Sequence, residues 1–248
     1  MGPDRRDEAT TRPRVCKRPV PKPTLSEMDG SPPRLLVFDF DGTLADTWRD
    51  IAAALNRTLA EVGLPTVEGP EVRFWIGNGV LPLLERAVSP EWQSPERLAE
   101  LYAHFREHYD RLCLETTDLY PGVLECLREL AEDRLAIASN KPARFLDRIL
   151  NGLGLKAYFD VVVAGDTLPV SKPDPAVIAH VVGVLPGAVR EVWMIGDSAV
   201  DVQTGRAFGA RTVGCVWGLR GREELREAGA DVLAETPLDL LRVLRDRA

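Results

Sequence analysis

Asp39-Phe40-Asp41-Gly42-Thr43-Leu44 follows directly on the apolar run Leu35-Leu36-Val37-Phe38. The run reads as a short buried strand that ends where two carboxylates appear. In an open α/β sheet, ligands bind outside the carboxyl ends of the strands. Side chains alternate along a strand, so Asp39 and Asp41 face one crevice if the extended geometry persists, and Gly42 lets the chain turn away. One carboxylate there can serve as a nucleophile and the other as a proton donor, and a pair of acids held close calls for a hard cation such as Mg²⁺. An ordinary Asp-Gly turn has the same local sequence. Three further segments decide between the two readings.

Leu135-Ala136-Ile137-Ala138-Ser139-Asn140 is a second short buried strand ending in a hydroxyl, with Pro142 suited to the first turn of a helix. A Ser hydroxyl and backbone N–H groups at a helix start can bind an anionic oxygen, although a plain Ser N-cap looks the same locally. Ser171-Lys172-Pro173-Asp174-Pro175 follows Val161-Val162-Val163 and the loop Gly165 to Pro169. The chain holds five Lys against 26 Arg, and only Lys141, Lys156 and Lys172 lie outside the N-terminal tail. A compact ammonium at such a strand end can sit between a phosphate and a carboxylate. Finally, Glu191-Val192-Trp193-Met194-Ile195-Gly196-Asp197 runs into a second acid at Asp201. If a helix begins near Ser198, Asp201 lies in its first turn, where the helix dipole tolerates a carboxylate.

Around these segments the chain alternates strands with helices over short connections. That pattern predicts an α/β fold, a Rossmann-like parallel sheet with helices on both faces. Its first strand and the acid-bearing loop after it are expected over 34–44, and further strands near 135–139, 161–164, 191–195 and 212–216. The block 47–119 departs from the alternation. Its apolar groups at Trp48, Ile51, Leu55, Leu59 and Val62, and again at Leu98, Leu101, Tyr102, Phe105, Tyr109 and Leu112, recur at helical spacing. We read it as an inserted all-helical cap domain on a core formed by residues 34–46 and 120–248. His104 and His108 are one helical turn apart, but no neighbouring Cys or acid pattern completes a zinc site, so they read as a solvated helix face. Residues 1–33 are rich in Pro and Arg without apolar periodicity and read as a disordered tail, with Met28 an alternative start.

The formal charge is −7 at pH 7 with no broad basic composition, which argues against nucleic acid as a partner. Cys16, Cys113, Cys126 and Cys215 form no C-x-x-C pattern, and the last three sit among apolar residues as small core fillers. With no hydrophobic signal core and no apolar run of membrane-spanning length, a cytoplasmic setting and no membrane partner are expected. Monomer and homodimer both remain open.

The set Asp39-x-Asp41-Gly-Thr-Leu, Ser139-Asn140-Lys141, Lys172-Pro-Asp-Pro and Gly196-Asp197-Ser-x-x-Asp201 resembles the four motifs of the haloacid dehalogenase superfamily of phosphohydrolases. The likeness runs from about Arg34 to the C-terminus. Val72 to Gly79 and Ala164 to Pro169 are similar to segments of the bacterial phosphoglycolate phosphatases. The resemblance implies a Mg²⁺-dependent phosphomonoesterase acting on a small phosphorylated metabolite, 2-phosphoglycolate in the finer reading. Asp39 would be the nucleophile and Asp41 the proton carrier. The metal would be held by Asp39, Asp197 and the Asp41 backbone carbonyl, with Asp201 binding or orienting it. Thr43, Ser139, Asn140 and Lys172 would hold the phosphate, and the cap residues Arg73 and Asn78 would read the rest of the substrate. A sugar-phosphate mutase or a pyrophosphatase of the same superfamily would keep these motifs. A Schiff-base phosphonoacetaldehyde hydrolase would need a cap Lys, and 47–119 has none. A receiver-type phospho-switch shares the Asp, Lys and Ser chemistry but neither the helical insertion nor Gly-Asp-x-x-x-Asp.

Overall fold

β1 (Leu35–Phe38) lies inside a six-stranded parallel sheet in a computed structural model that describes residues 32–246. The elements follow in the order β2 (Ala45–Asp46), α1 (Trp48–Glu61), α2 (Gly69–Arg73), α3 (Val80–Ala87), α4 (Pro95–Leu112) and β3 (Asp118–Leu119). Then come α5 (Val123–Glu129), β4 (Arg134–Ala138), α6 (Ala143–Gly152), β5 (Val161–Val163), α7 (Ala176–Val184) and β6 (Val192–Gly196). The chain closes with α8 (Ala199–Phe208), β7 (Arg211–Cys215), α9 (Arg222–Glu227), β8 (Val232–Ala234) and α10 (Pro237–Asp246).

The strand order is β5-β4-β1-β6-β7-β8. The strand order therefore reverses at β1, whose neighbours are β4 on one side and β6 on the other. Such a reversal opens a crevice at the carboxyl ends of the strands. β1 is apolar throughout because both of its faces are covered. Leu35 and Val37 pack with Ala136, Met194 and the α7 residues Val177, Ile178 and Val181, whereas Leu36 and Phe38 join Leu135, Ile137, Trp193 and Ile195 in the larger cluster. A continuous apolar run is the pattern of a parallel strand buried on both faces.

Between β2 and β3 the chain forms the all-helical cap, α1 to α4. α1 and α4 pack through Leu55, Leu59, Leu101 and Phe105, all buried. β2 and β3, the two passages between core and cap, pair antiparallel. The buried carboxylate of Asp50, in the first turn of α1, accepts hydrogen bonds from the backbone N–H and hydroxyl groups of Thr116 and Thr117 at 2.7–3.1 Å. One acid thus fastens the outgoing chain to the returning one.

Some elements differ from the sequence reading. β2, β3 and β8 are two or three residues long, too short for periodicity to register. α9 has the sequence Arg-Glu-Glu-Leu-Arg-Glu, in which only Leu225 is apolar. The short α2 likewise carries one buried residue, Val72. The second, fourth and fifth expected strands are each shifted by one residue, to Arg134–Ala138, Val192–Gly196 and Arg211–Cys215. Cys113, Cys126 and Cys215 are buried free thiols, as expected of core fillers. The expected tail, Met28 and Cys16 lie outside the described residues, apart from Pro32 and Pro33.

On the side of the molecule away from the crevice, Arg34 makes a two-pronged ion pair with Asp133 at 2.9 and 2.7 Å and donates to the Leu244 carbonyl at 2.6 Å. Both side chains are about nine-tenths buried. Removing one partner of a buried pair strands the other charge. Asp133→Ala is therefore expected to lower the unfolding free energy by about 3 kcal/mol in a urea titration.

Candidate active site

Four strand ends supply the polar groups of the crevice. β1 delivers Asp39 and Asp41, β4 delivers Ser139, Asn140 and Lys141, the loop after β5 delivers Lys172, and β6 delivers Asp197, with Asp201 in the first turn of α8. All of them are buried. Carboxylate oxygens of Asp39, Asp197 and Asp201 lie within 4.8 Å of one another, the one such acidic or metal-ligating group found among the described residues. Lys172 binds this trio from one side, with its Nζ 2.8 Å from Asp39 Oδ1 and 2.6 Å from Asp201 Oδ1. The other oxygen of Asp201 accepts from the Ser198 hydroxyl at 2.7 Å and the Ser198 N–H at 3.1 Å, an N-terminal cap of α8 that fixes the carboxylate. Asp197 accepts from the Leu219 N–H at 2.7 Å and from the Thr43 hydroxyl at 3.4 Å.

Backbone approaches these acids closely. Gly42 adopts φ +84°, and a Cβ there would lie 2.3 Å from Asp197 Oδ2. A Cβ on Gly196 would lie 2.2 Å from Asp201 Cγ. Both glycines are therefore dictated by the acids they adjoin, and Gly42 also by its left-handed turn.

Asp41 stands apart from the trio. Its Oδ1 accepts from the Thr47 hydroxyl at 2.6 Å, and Lys141 Nζ lies 2.9 and 3.1 Å from its two oxygens. Ser139 accepts from the Lys141 N–H at 3.3 Å. The Asn140 side chain receives the Lys172 N–H, donates to the Lys172 carbonyl, and donates also to the carbonyl of Gly77 in the cap. It therefore locates Lys172 and touches the cap. The cap completes a cavity above these groups, with Ile51, Ile76, Val80, Leu83, Phe105 and Tyr109 facing Asp39, Asp41, Ser139, Asn140 and Lys141.

Burial raises the Asp39 carboxyl pKa to about 7; the nearby Asp201 and Asp41 charges add to the rise, and Lys172 opposes it. Burial, with Asp201 and Asp39 nearby, likewise pushes Asp197 well above the usual carboxylate range. For Lys172, burial disfavours the ammonium, but the Asp201 and Asp39 charges outweigh it and raise the group above its ordinary value.

Not every anticipated residue meets the cavity. Arg73 donates to the Gly218 carbonyl at 2.6 Å, and Asn78 is exposed; neither lines the cavity. The chain between α2 and α3 instead meets the cavity through Ile76, Gly77 and Gly79. Thr43 lies against Asp197. The pair His104 and His108 does have an acid partner, because α1 brings Glu61 Oε2 to 3.3 Å from His104 and 2.7 Å from His108. Lys141, Thr47, Tyr109 and the Leu219 N–H were not anticipated at the site. For Lys141 the signal was present, a rare Lys directly after Ser139-Asn140; for the other three, nothing local marks them.

The chain belongs to the haloacid dehalogenase-like hydrolase family, whose sequence profile matches residues 36–215. It is similar to the phosphoglycolate phosphatase of Colwellia psychrerythraea, 37% identical over 84% of this chain and 95% of that protein. The phosphoglycolate phosphatase of Pseudomonas putida is also 37% identical, over 87% of this chain and 79% of that one. Among solved structures, a predicted phosphoglycolate phosphatase from Haemophilus somnus superposes with a TM-score of 0.78 at 28% identity, covering 85% of this chain and 97% of its own.

The donor set fits a hard divalent cation. Four buried carboxylates (Asp39, Asp41, Asp197, Asp201) face two buried ammoniums (Lys141, Lys172), a formal excess of two negative charges. All the carboxylate donors are oxygens, as Mg²⁺ requires. Between its ordinary pKa and about 7, Asp39 keeps a proton in the folded protein that the unfolded chain has released. Its contribution to stability therefore falls as pH rises through that window. A cation competes with that proton. The rise in melting temperature on adding Mg²⁺ should thus be larger at pH 8 than at pH 5, read by differential scanning calorimetry; an equal rise at both would contradict the assignment.

Proposed function

We propose that the protein is a Mg²⁺-dependent phosphomonoesterase that hydrolyses a small phosphorylated metabolite, 2-phosphoglycolate, by way of a phosphorylated Asp39. The observation that carries the reading is the convergence of Asp39, Asp197 and Asp201 with Lys172 at the end of β1. The names of the relatives support the substrate.

Asp39 is the nucleophile. Its oxygen bonds to phosphorus as the bond from phosphorus to the leaving alkoxide breaks, and Asp41 gives that alkoxide its proton. Asp41 then takes a proton from the water whose oxygen attacks the phosphoenzyme, releasing phosphate and restoring Asp39. One difficult displacement becomes two easier ones. Asp39, Asp197 and the Asp41 backbone carbonyl would hold Mg²⁺, with Asp201 beside them; bound there, the ion supplies positive charge against the phosphoryl oxygens. Lys172 and Ser139 hold those oxygens, and Asn140 keeps Lys172 in place. This positioning of charge is the main source of rate in phosphoryl transfer. The apolar cap surface above keeps bulk water from the phosphoenzyme.

Asp39→Asn preserves size and is expected to keep the fold while lowering kcat by more than about 10³-fold. Near-normal turnover of that variant would remove the nucleophile assignment. A phosphate-release screen across phosphorylated metabolites should rank 2-phosphoglycolate above hexose phosphates by kcat/KM. Conversion of a sugar phosphate into its isomer without phosphate release would instead make the enzyme a mutase.

A further inference from the structure

Lys141 is the only cation among the described residues that line the cavity. Its Nζ, 3% exposed as a side chain, lies 2.9 Å from Asp41 and 4.8 Å from the ring centre of Tyr109. Tyr109 also lines the cavity, and its hydroxyl is buried with no hydrogen-bond partner. A buried hydroxyl without a partner is costly, and a ligand oxygen would satisfy it. Two arginines at the junction of cap and core are engaged elsewhere. Arg73 binds the Gly218 carbonyl, and Arg220 binds the Ile76 carbonyl at 2.7 Å.

We propose that Lys141 and Tyr109 together read a carboxylate on the leaving group of the substrate. This rests on the phosphatase reading above and deepens it. If Asp41 protonates the leaving oxygen, whatever that oxygen carries lies beside Asp41. A carboxylate one carbon further on then comes within reach of Lys141, which stands directly against Asp41. Without Lys141, that carboxylate would enter the buried pocket with no opposite charge beside it. The remaining wall, Ile51, Ile76, Val80, Leu83, Phe105 and Phe145, offers no polar side chain to match the hydroxyls of a sugar. The chemistry of the cavity thus fits a short acid-bearing phosphomonoester and disfavours a polyhydroxylated one. Lys141 and Tyr109 are specificity-determining residues in this account, in place of Arg73 and Asn78.

The test compares kcat/KM for 2-phosphoglycolate with that for 2-hydroxyethyl phosphate, which replaces the carboxylate by CH₂OH, at saturating Mg²⁺. The ratio cancels any effect of Lys141 on Asp41 that is common to both esters. Wild type should favour 2-phosphoglycolate by on the order of 100-fold. Lys141→Met should bring the ratio close to one, and Tyr109→Phe should lower it by roughly 10-fold. A wild-type ratio near one, or a ratio unchanged in Lys141→Met, overturns the proposal while leaving the phosphatase reading intact. Absence of phosphate release from either ester by wild type overturns both. Should Lys141→Met fail to fold, product inhibition of the wild type decides. Glycolate must then inhibit at concentrations about 100-fold lower than ethylene glycol, and equal inhibition by the two overturns the proposal.

Discussion

The Lys172 ammonium, 2% exposed as a side chain, lies 2.8 Å from one carboxylate and 2.6 Å from another. Each of these charges alone would be very costly to bury, and together they are tolerable. Lys172 allows Asp39 and Asp201 to approach each other, and Asp197 completes a group that still carries excess negative charge. The tension is visible in Asp39 and Asp197, whose carboxyl groups burial and mutual repulsion hold above their ordinary pKa values. A site built this way favours whatever positive charge is offered to it, and it keeps Asp39 poorly hydrated. The surrounding structure serves to hold this arrangement. Asn140 grips Lys172 by both backbone groups, Ser198 caps Asp201, and the Leu219 N–H fixes Asp197.

The cap reaches the same centre through a few polar contacts. Thr47, at the entrance to α1, donates to Asp41, and Asn140 donates to the Gly77 carbonyl. Arg73 and Arg220 cross the junction in opposite directions, each giving its terminal nitrogen to a carbonyl on the other side. The loop that carries Gly218 and Leu219 touches both the cap and Asp197. Position of the cap and orientation of the acids are therefore linked through short covalent spans. A helical cap coupled in this way to the buried acids beneath it can exclude water while those acids are aligned.

Much of this was legible along the chain because the decisive information is local. A four-residue apolar strand ending in an acid, repeated with a hydroxyl, an ammonium and a second acid, needs no tertiary knowledge to be noticed. The helical block showed itself by the change of apolar period. What escaped were elements too short or too charged to carry a period, β2, β3, β8 and α9, whose existence depends on the partner strand or surface beside them. Arg73 and Asn78 looked suited to a substrate by type, yet only the tertiary path of the cap decides which way they point.

The sequence by itself determined the chemistry: which strand ends bear acids, which bear the hydroxyl and the ammonium, and that helices interrupt the alternation. Tertiary structure alone decided how those groups are shared out. It set Asp39, Asp197 and Asp201 around Lys172, and gave Asp41 to Thr47 and Lys141. It also brought Tyr109 over the cavity and Glu61 between two histidines of another helix. The physical reason is distance along the chain. Hydrophobic period and turn residues act over a few positions, whereas the pairing of buried charges is settled by which strands become neighbours, and that depends on the packing of the whole sheet.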